Sequence, residues 1–210
     1  ECYAPTWGRH RARTRPAPGN HEYGTPSAAG YFAYFGELAG PPGRGWYSFD
    51  LGAWHLVSLN SNVSMTPGSE QERWLRADLA ANPSRCTLAF FHHPRFSSGP
   101  HGSHTSVEPL WRALYEAGAD VVLQAHDHGY ERFLRMTPNG QPDPDGLRSF
   151  VVGGGGARLY PFVGTAQGSQ SRYSRGWSVL RLTLRADRYE WELLTPDESL
   201  PLEHGGDACR

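Results

Sequence analysis

The sequence contains no lysine, so all 20 of its lysine-plus-arginine residues are arginines. The absence of lysine excludes the Gly-x-x-x-x-Gly-Lys-Ser/Thr loop of nucleotide-binding proteins. The four consecutive glycines at Gly153–Gly156 therefore predict a close backbone approach or a sharp turn. No window approaches the ~20 apolar residues of a membrane span, so we expect no membrane partner. A formal net charge of −1 also argues against a nucleic-acid partner held by bulk electrostatics.

Cysteine is scarce, and its three positions fit no zinc-ligand spacing such as Cys-x-x-Cys. Cys86 opens an apolar run and is expected to be buried as a small hydrophobic residue. Cys2 and Cys209 lie near the two ends of the sequence, where a disulfide would be useful in an exported protein. The odd total leaves any pairing open.

The pattern of apolar residues predicts an α/β fold, a layered β-sandwich flanked by helices. A capping box at Ser69 predicts a helix to about Asn82, and a second helix is expected near 107–117. The continuous apolar runs 86–91 and 120–124 predict strands that are buried on both faces. Further strands are expected at 46–50, 54–59 and 150–152, and a closing hairpin at 178–195. The length of 210 residues suits a single domain.

Histidines follow two of these buried strands, at the point where each strand ends. In open α/β sheets, ligands gather beyond the carboxyl ends of the strands. One histidine beside an apolar strand is usually structural, but several after separate strands favour a shared metal site. His126 and His128 are spaced like side chains on one face of an extended segment, about 6.6 Å apart along the chain. Such a pair can bind one zinc ion or flank two metals, and the spacing alone does not decide between these arrangements.

Three short segments together resemble the later metal-binding motifs of the calcineurin-like metallophosphoesterases. The last segment is closest to the purple acid phosphatase branch of that family. The segments are Gly19-Asn20-His21-Glu22, Phe91-His92-His93-Pro94 and Ala125-His126-Asp127-His128-Gly129-Tyr130-Glu131-Arg132. The resemblance implies hydrolysis of phosphate esters by a metal-bound hydroxide at a dinuclear centre. It further implies phosphorylated small molecules or peptides as substrates and an extracellular or periplasmic location.

The same resemblance implies roles for individual residues. One metal would be shared by Asn20, His92 and His126, and His128 would serve the other metal. His21 and His101 would contact the phosphoryl group or assist the leaving group. In the complete enzyme the two ions would be iron, zinc or manganese. By strand alternation, we expect Asp127 to point to the opposite face and His93 to point away from His92.

Two earlier motifs of the family, Asp-x-Gly/His and Gly-Asp-x-x-Tyr, have no counterpart in the sequence. Glu1 is the sole acidic residue among residues 1–19, so the bridging carboxylate is not there. We therefore expect residues 1–210 to form a partial, N-terminally incomplete metallophosphoesterase domain that binds one metal and is inactive in isolation.

Two other functions compete with this one. The chain could be a catalytically dead pseudo-phosphatase that binds a partner. Its seven Trp and ten Tyr could also indicate a carbohydrate-binding domain, but they are scattered through apolar strands as core residues would be.

Overall fold

In the computed structural model, which describes residues 3–197 and 199–210, ten strands form two sheets. The larger sheet has the order β1-β2-β3-β4-β6-β5-β7, and the smaller has the order β10-β9-β8. Strands β2, β3, β4 and β6 are parallel neighbours. The strands are β1 Tyr47–Leu51, β2 Trp54–Ser58, β3 Cys86–Phe90, β4 Val121–Gln124, β5 Tyr130–Met136, β6 Leu147–Val152, β7 Ser169–Tyr173, β8 Val179–Leu184, β9 Arg188–Leu194 and β10 Glu203–Ala208.

Two of the three α-helices, α2 and α3, cover one face of the large sheet. Helix α1 spans Ala29–Phe35, α2 spans Glu70–Ala81 and α3 spans Glu108–Glu116. The Ser69 hydroxyl accepts a hydrogen bond from the backbone N–H of Glu72 and caps α2, as the capping box predicts. Leucines of α2 and α3 enter one core cluster with β2, β3, β4 and β6. Among the described helices, none has the length and apolarity needed to cross a bilayer.

The small sheet packs on the opposite face of the large sheet. A second core cluster joins Trp54, Tyr130 and Phe150 of the large sheet to Tyr189 and Trp191 of β9. The predicted layered α/β sandwich with flanking helices is thus confirmed. Four of the seven tryptophans, Trp46, Trp54, Trp111 and Trp191, are buried, so they are core residues and not a glycan platform. The sequence pattern missed β5, β7, β10 and α1.

A disulfide joins Cys86, at the start of β3, to Cys209, just after β10, with the two Cα atoms 5.4 Å apart. The expected burial of Cys86 is confirmed, but the residue is half of a disulfide and not a free thiol that packs as a small hydrophobic residue. Apolar patterning shows that Cys86 is buried, but it cannot show that the end of the small sheet packs beside it. Cys2, the other candidate for pairing with Cys209, lies outside the described residues.

We expect reduction of this disulfide to lower the free energy of unfolding by about 2–5 kcal/mol, because the bond closes a long loop in the unfolded chain. Cys86 and Cys209 are 123 residues apart in sequence. Thermal unfolding with and without dithiothreitol measures the effect, and a Cys209→Ser variant should be insensitive to the reductant. An identical melting temperature for the oxidised and reduced wild-type chain would contradict the prediction.

Candidate metal centre

The candidate ligands meet because two parallel strands end side by side. β3 ends at Phe90 and β4 at Gln124, and the two strands are hydrogen-bonded neighbours. His92 and His126 each lie two residues beyond a strand end. The loops stay paired there, since the N–H of Ala125 donates to the carbonyl of His92 at 2.9 Å. The prediction that the carboxyl ends of the buried strands bring these histidines together is confirmed by this geometry.

Asn20, His92 and His126 bring three potential ligand atoms together. His92 Nε2 lies 2.8 Å from Asn20 Oδ1 and 3.0 Å from His126 Nδ1. An octahedral ion with bonds of about 2.1 Å holds neighbouring ligand atoms about 3.0 Å apart. Two imidazole nitrogens and a neutral amide oxygen also suit zinc, iron or manganese. Both the spacing and the chemistry of this donor set therefore fit a transition-metal ion.

The backbone of the loop that carries Asn20 is held by two side chains. Gly19 N donates to Glu22 Oε2 at 2.7 Å, and Asn62 Nδ2 donates to the carbonyl of Pro18 at 2.8 Å. A Cβ on Gly19 would lie only 2.8 Å from His92 Nδ1. Glycine at this position thus lets the asparagine loop approach the His92 ring.

The segment 125–129 is not extended, which corrects the predicted arrangement of His126 and His128. His126 has a φ of +69°, a conformation that costs a non-glycine residue about 1–3 kcal/mol and is concentrated at functional sites. Asp127 N bonds to the carbonyl of Ala125 (2.8 Å) and Gly129 N to that of Asp127 (2.9 Å). This tight turn points His126 toward His92, whereas His128 Nδ1 bonds to the carbonyl of Arg158 at 2.6 Å. The structure thus brings Asn20, His92 and His126 together, and His128 lies with a different segment.

Two further histidines belong to the cluster. The ring of His93 lies 4.9 Å from that of His92, 4.6 Å from that of His126 and 4.8 Å from that of His104, so the prediction that His93 points away from His92 was wrong. The alternation rule fails because β3 ends at Phe90, before the two histidines. His93, with His92 and His126, offers a nitrogen in a group of ligand atoms that lie within 4.8 Å of one another. The membership of His93 in the cluster could have been predicted from the sequence, because two adjacent histidines follow the end of a buried strand.

The two predicted catalytic histidines, His21 and His101, lie near the same cluster. The ring of His101 lies 4.3 Å from the ring of His126. His21 is exposed and close enough for its charge to contribute to the lowered pKa of His92. The ring contact places His101 against the candidate ligand His126, and the effect of His21 on the pKa of His92 places His21 in the neighbourhood of the cluster.

The nearby buried acids hold loops in place. Asp127 accepts hydrogen bonds from the Ser97 hydroxyl and from the N–H of His101. Glu131 accepts from the N–H and the hydroxyl of Ser98. Each of the four carboxylate oxygens is thus engaged by the loop that follows His92. Within residues 3–197 and 199–210, the group of potential ligands at this edge of the sheet consists of histidines, without a carboxylate.

Burial and mutual repulsion keep the clustered histidines neutral. Desolvation is the largest cause in each case, and neighbouring histidines add to it. The pKa of His92 falls to about 3, and those of His93 and His126 fall to about 4. Neutral imidazole is the form that binds metal. The cluster is therefore ready to accept a cation near neutral pH without first losing protons.

The same pKa shifts predict that the metal-free chain is destabilised by acid. The folded-state pKa values lie below the value of about 6.5 for an unfolded histidine. Between pH 6.5 and about 3–4 the unfolded chain binds more protons, so stability falls as the pH falls through this window. A loss of only ~2 kcal/mol would lower the melting temperature by about 4–8 °C.

Thermal melts of the metal-free chain from pH 7 to pH 4.5 measure how steeply the melting temperature falls as the pH falls. His93→Gln should make this pH dependence shallower, because one of the three histidines with a lowered pKa is removed. His204→Gln, which changes an exposed histidine of β10, is the matched control and should leave it unchanged. Equal slopes in the wild type and His93→Gln would contradict the prediction.

Comparison with known proteins agrees with the family that the sequence motifs resemble. A sequence model of the calcineurin-like phosphoesterase family matches residues 3–130, more than half of the chain. The chain is 32% identical over 157 residues to purple acid phosphatase 18 of Arabidopsis thaliana, covering 69% of this chain and 33% of that protein. It is also 32% identical over 180 residues to purple acid phosphatase 15 of the same plant, covering 75% and 34%.

A solved structure has the same fold. Purple acid phosphatase PPD1 from yellow lupin (Lupinus luteus) seeds superposes with a TM-score of 0.79 at 20% sequence identity, covering 93% of this chain and 38% of that chain. The chain spans about a third of the length of the curated relatives it matches.

Proposed function

We propose that this chain, which belongs to the calcineurin-like phosphoesterase family, contributes part of the metal-binding and catalytic site of a phosphate-ester hydrolase. The observation that carries the proposal is the convergence of Asn20, His92 and His126. These residues would hold one iron, zinc or manganese ion, and His128 would contribute to a second. Bound ions would supply Lewis acidity that neutralises charge on the phosphoryl oxygens.

The residues beside the ligands have separate tasks in this proposal. Asn20 is a neutral ligand, so it leaves the positive charge of an ion available to an anionic substrate. His21 and His101 would bind the phosphoryl group and hold or donate a proton toward the leaving oxygen. Asp127 positions His101 through the backbone N–H of that residue, 2.9 Å from Asp127 Oδ1.

The role of His21 gives a direct test of the proposal. In an active, metal-loaded polypeptide, His21→Ala should lower kcat by ~10²–10³, the usual scale for one electrostatic contact to a transition state. Metal content should stay unchanged, because His21 is not a proposed ligand. Turnover of a chromogenic phosphate ester and metal analysis measure the two quantities, with His204→Ala as the control. Loss of metal in His21→Ala would instead make His21 a ligand.

We propose that the carboxylate that bridges the two metals in the family comes from outside residues 1–210, so that these residues form a partial domain. Strand β8 supports the proposal, because among residues 3–197 and 199–210 it pairs with β9 alone and lies at the edge of the small sheet, where the outer backbone groups of a strand can pair with an added strand. Beside that edge lies a groove of about 1060 Å³ that reaches His92. Leucines and phenylalanines line it, including Phe49, Leu56, Leu88, Leu123, Leu182 and Leu184.

An added strand in this groove would extend the small sheet from three strands to four and would cover apolar side chains of the large sheet. The groove reaches the edge where β3 and β4 end, so such a strand could bring a carboxylate to His92 and His126.

We further propose an extracellular or periplasmic location and a phosphorylated small-molecule or peptide substrate. The Cys86–Cys209 disulfide supports the location, because disulfides persist mainly in oxidising compartments. The competing function, a pseudo-phosphatase that binds a partner, is favoured by the lack of a carboxylate in the described histidine cluster. Metal content measured together with turnover separates the two functions. A pseudo-phosphatase would not hydrolyse phosphate esters, either as residues 1–210 or as part of a longer polypeptide.

A further inference from the structure

The segment that follows β6 lies against the turn that carries His126 and His128. We refer to residues 153–163 as the strap. At its start, Gly153 N donates to the carbonyl of Gly129 at 2.9 Å, and at its end Val163 N donates to the carbonyl of Ser98 at 3.1 Å. A Cβ on Gly153 would lie 2.1 Å from the carbonyl oxygen of Asp127. The first glycine of the tetraglycine run is therefore what permits the strap to lie against the turn that carries the two histidines.

The strap contacts His128 in three ways. The carbonyl of Arg158 lies 2.6 Å from His128 Nδ1, and the N–H of Tyr160 donates to the carbonyl of His128 at 3.1 Å. The ring of Tyr160 stacks on the imidazole with centroids 4.2 Å apart and an interplanar angle of 10°. The orientation of the His128 ring is thus fixed by a hydrogen bond in its plane and by an aromatic ring on its face.

The hydrogen bond also determines the tautomer of His128. A carbonyl oxygen only accepts, so His128 Nδ1 must carry the proton. Nε2 of the neutral ring then has the free lone pair. In free histidine the proton prefers Nε2, so the strap selects the tautomer that is less populated in water. Such bonds to the second ring nitrogen are the usual means by which proteins fix a histidine for metal binding.

Tyr160 touches a second residue of the candidate centre. Its ring meets the ring of His101 edge to face at 5.5 Å, and His101 in turn lies 4.3 Å from His126. One tyrosine thus lies between His128, a proposed metal ligand, and His101, a proposed substrate contact. Trp177 holds the strap from the outside, because its Nε1 donates to the carbonyl of Ala157 at 3.1 Å.

We propose that Tyr160 is a positioning residue that, with the Arg158 carbonyl, holds His128 as its Nδ1–H tautomer and leaves Nε2 free to bind a metal. The use of Nε2 as a ligand rests on the proposed function, whereas the tautomer is a property of the metal-free chain. Tyr160 acts through the histidine.

The test is a long-range ¹H–¹⁵N correlation spectrum of the metal-free chain above pH 7, with ¹⁵N-labelled histidine and with His128 assigned from a His128→Gln variant. The wild type and Tyr160→Phe, which keeps the stacked ring, should show His128 as the Nδ1–H tautomer. Tyr160→Leu should shift a major fraction of His128 to the Nε2–H tautomer. Unchanged Nδ1–H populations in Tyr160→Leu would overturn the proposal.

Two further measurements keep the result unambiguous. Binding of one Zn²⁺ per chain should be the same in the wild type and Tyr160→Leu, because the strap does not hold Asn20, His92 or His126. A failure of zinc binding in both would count against the proposed function and leave the tautomer result standing. If Tyr160→Leu does not fold, Trp177→Phe is the alternative variant. It removes the hydrogen bond to the carbonyl of Ala157, the residue before Arg158, and changes no residue that contacts the histidines. It should produce a shift in the same direction, and no shift would overturn the proposal.

Discussion

Replacing His92 and His126 together by alanine is expected to abolish metal binding by the 210-residue chain. These side chains provide two of the three ligand atoms that lie within 3.0 Å of a neighbour at the end of β3 and β4. Asn20 alone cannot hold a divalent ion against water, because protein sites ordinarily use three or more ligands. Metal analysis after loading and dialysis should therefore change from about one ion per chain to none.

A matched set of variants identifies the ligands. His204→Ala should retain the ion, because His204 is exposed on β10. His93→Ala should also retain it, because the proposed third ligand is Asn20. Unchanged metal content in the double variant would contradict the assignment. Loss of the ion in His93→Ala would replace Asn20 by His93 as the third ligand.

The isolated chain is expected to hydrolyse phosphate esters orders of magnitude more slowly than a typical enzyme, which turns over at ~1–10³ s⁻¹. His128 is the sole proposed ligand in this chain for the second metal, and one imidazole does not retain a divalent ion. Without that ion, the attacking and leaving oxygens lack the paired charge of a two-metal site.

An extended polypeptide provides the comparison. A version that includes upstream Asp-x-Gly/His and Gly-Asp-x-x-Tyr motifs should bind two metals per chain and recover turnover. The same polypeptide with the aspartate of the second motif changed to asparagine is the control and should lose most of the recovered rate. Turnover by residues 1–210 alone at ~1–10³ s⁻¹ would mean that carboxylates within the chain complete the site.

The sequence predicted those parts of the fold in which local pattern and burial coincide. The apolar runs of β3 and β4, the capping box of α2 and the hairpin of β8 and β9 all lie where the pattern places them. Strands β7, Ser169–Tyr173, and β10, Glu203–Ala208, were missed because their sequences are polar or rich in glycine. Their pairing is determined by long-range contacts, as is the Cys86–Cys209 disulfide.

The sequence predicted which ligand residues meet at the candidate site, but not the backbone conformation and contacts that position them. His92 and His126 follow strands whose parallel pairing could be inferred, and that pairing explains why they meet. The φ of +69° at His126 leaves no signal in local propensity, so the extended arrangement of His126 and His128 was wrong. The strap and the stacking of Tyr160 on His128 join residues 32 positions apart in sequence, and no periodic pattern connects them.

The most direct test is a crystal structure of the chain grown with Zn²⁺ or Mn²⁺, with anomalous scattering recorded at the absorption edge of the metal. We expect one anomalous peak within ~2.3 Å of Asn20 Oδ1, His92 Nε2 and His126 Nδ1, the range of first-row metal–ligand bonds. No peak at this position, or a peak bound by His93 and His104 in place of Asn20, would contradict the proposed metal centre.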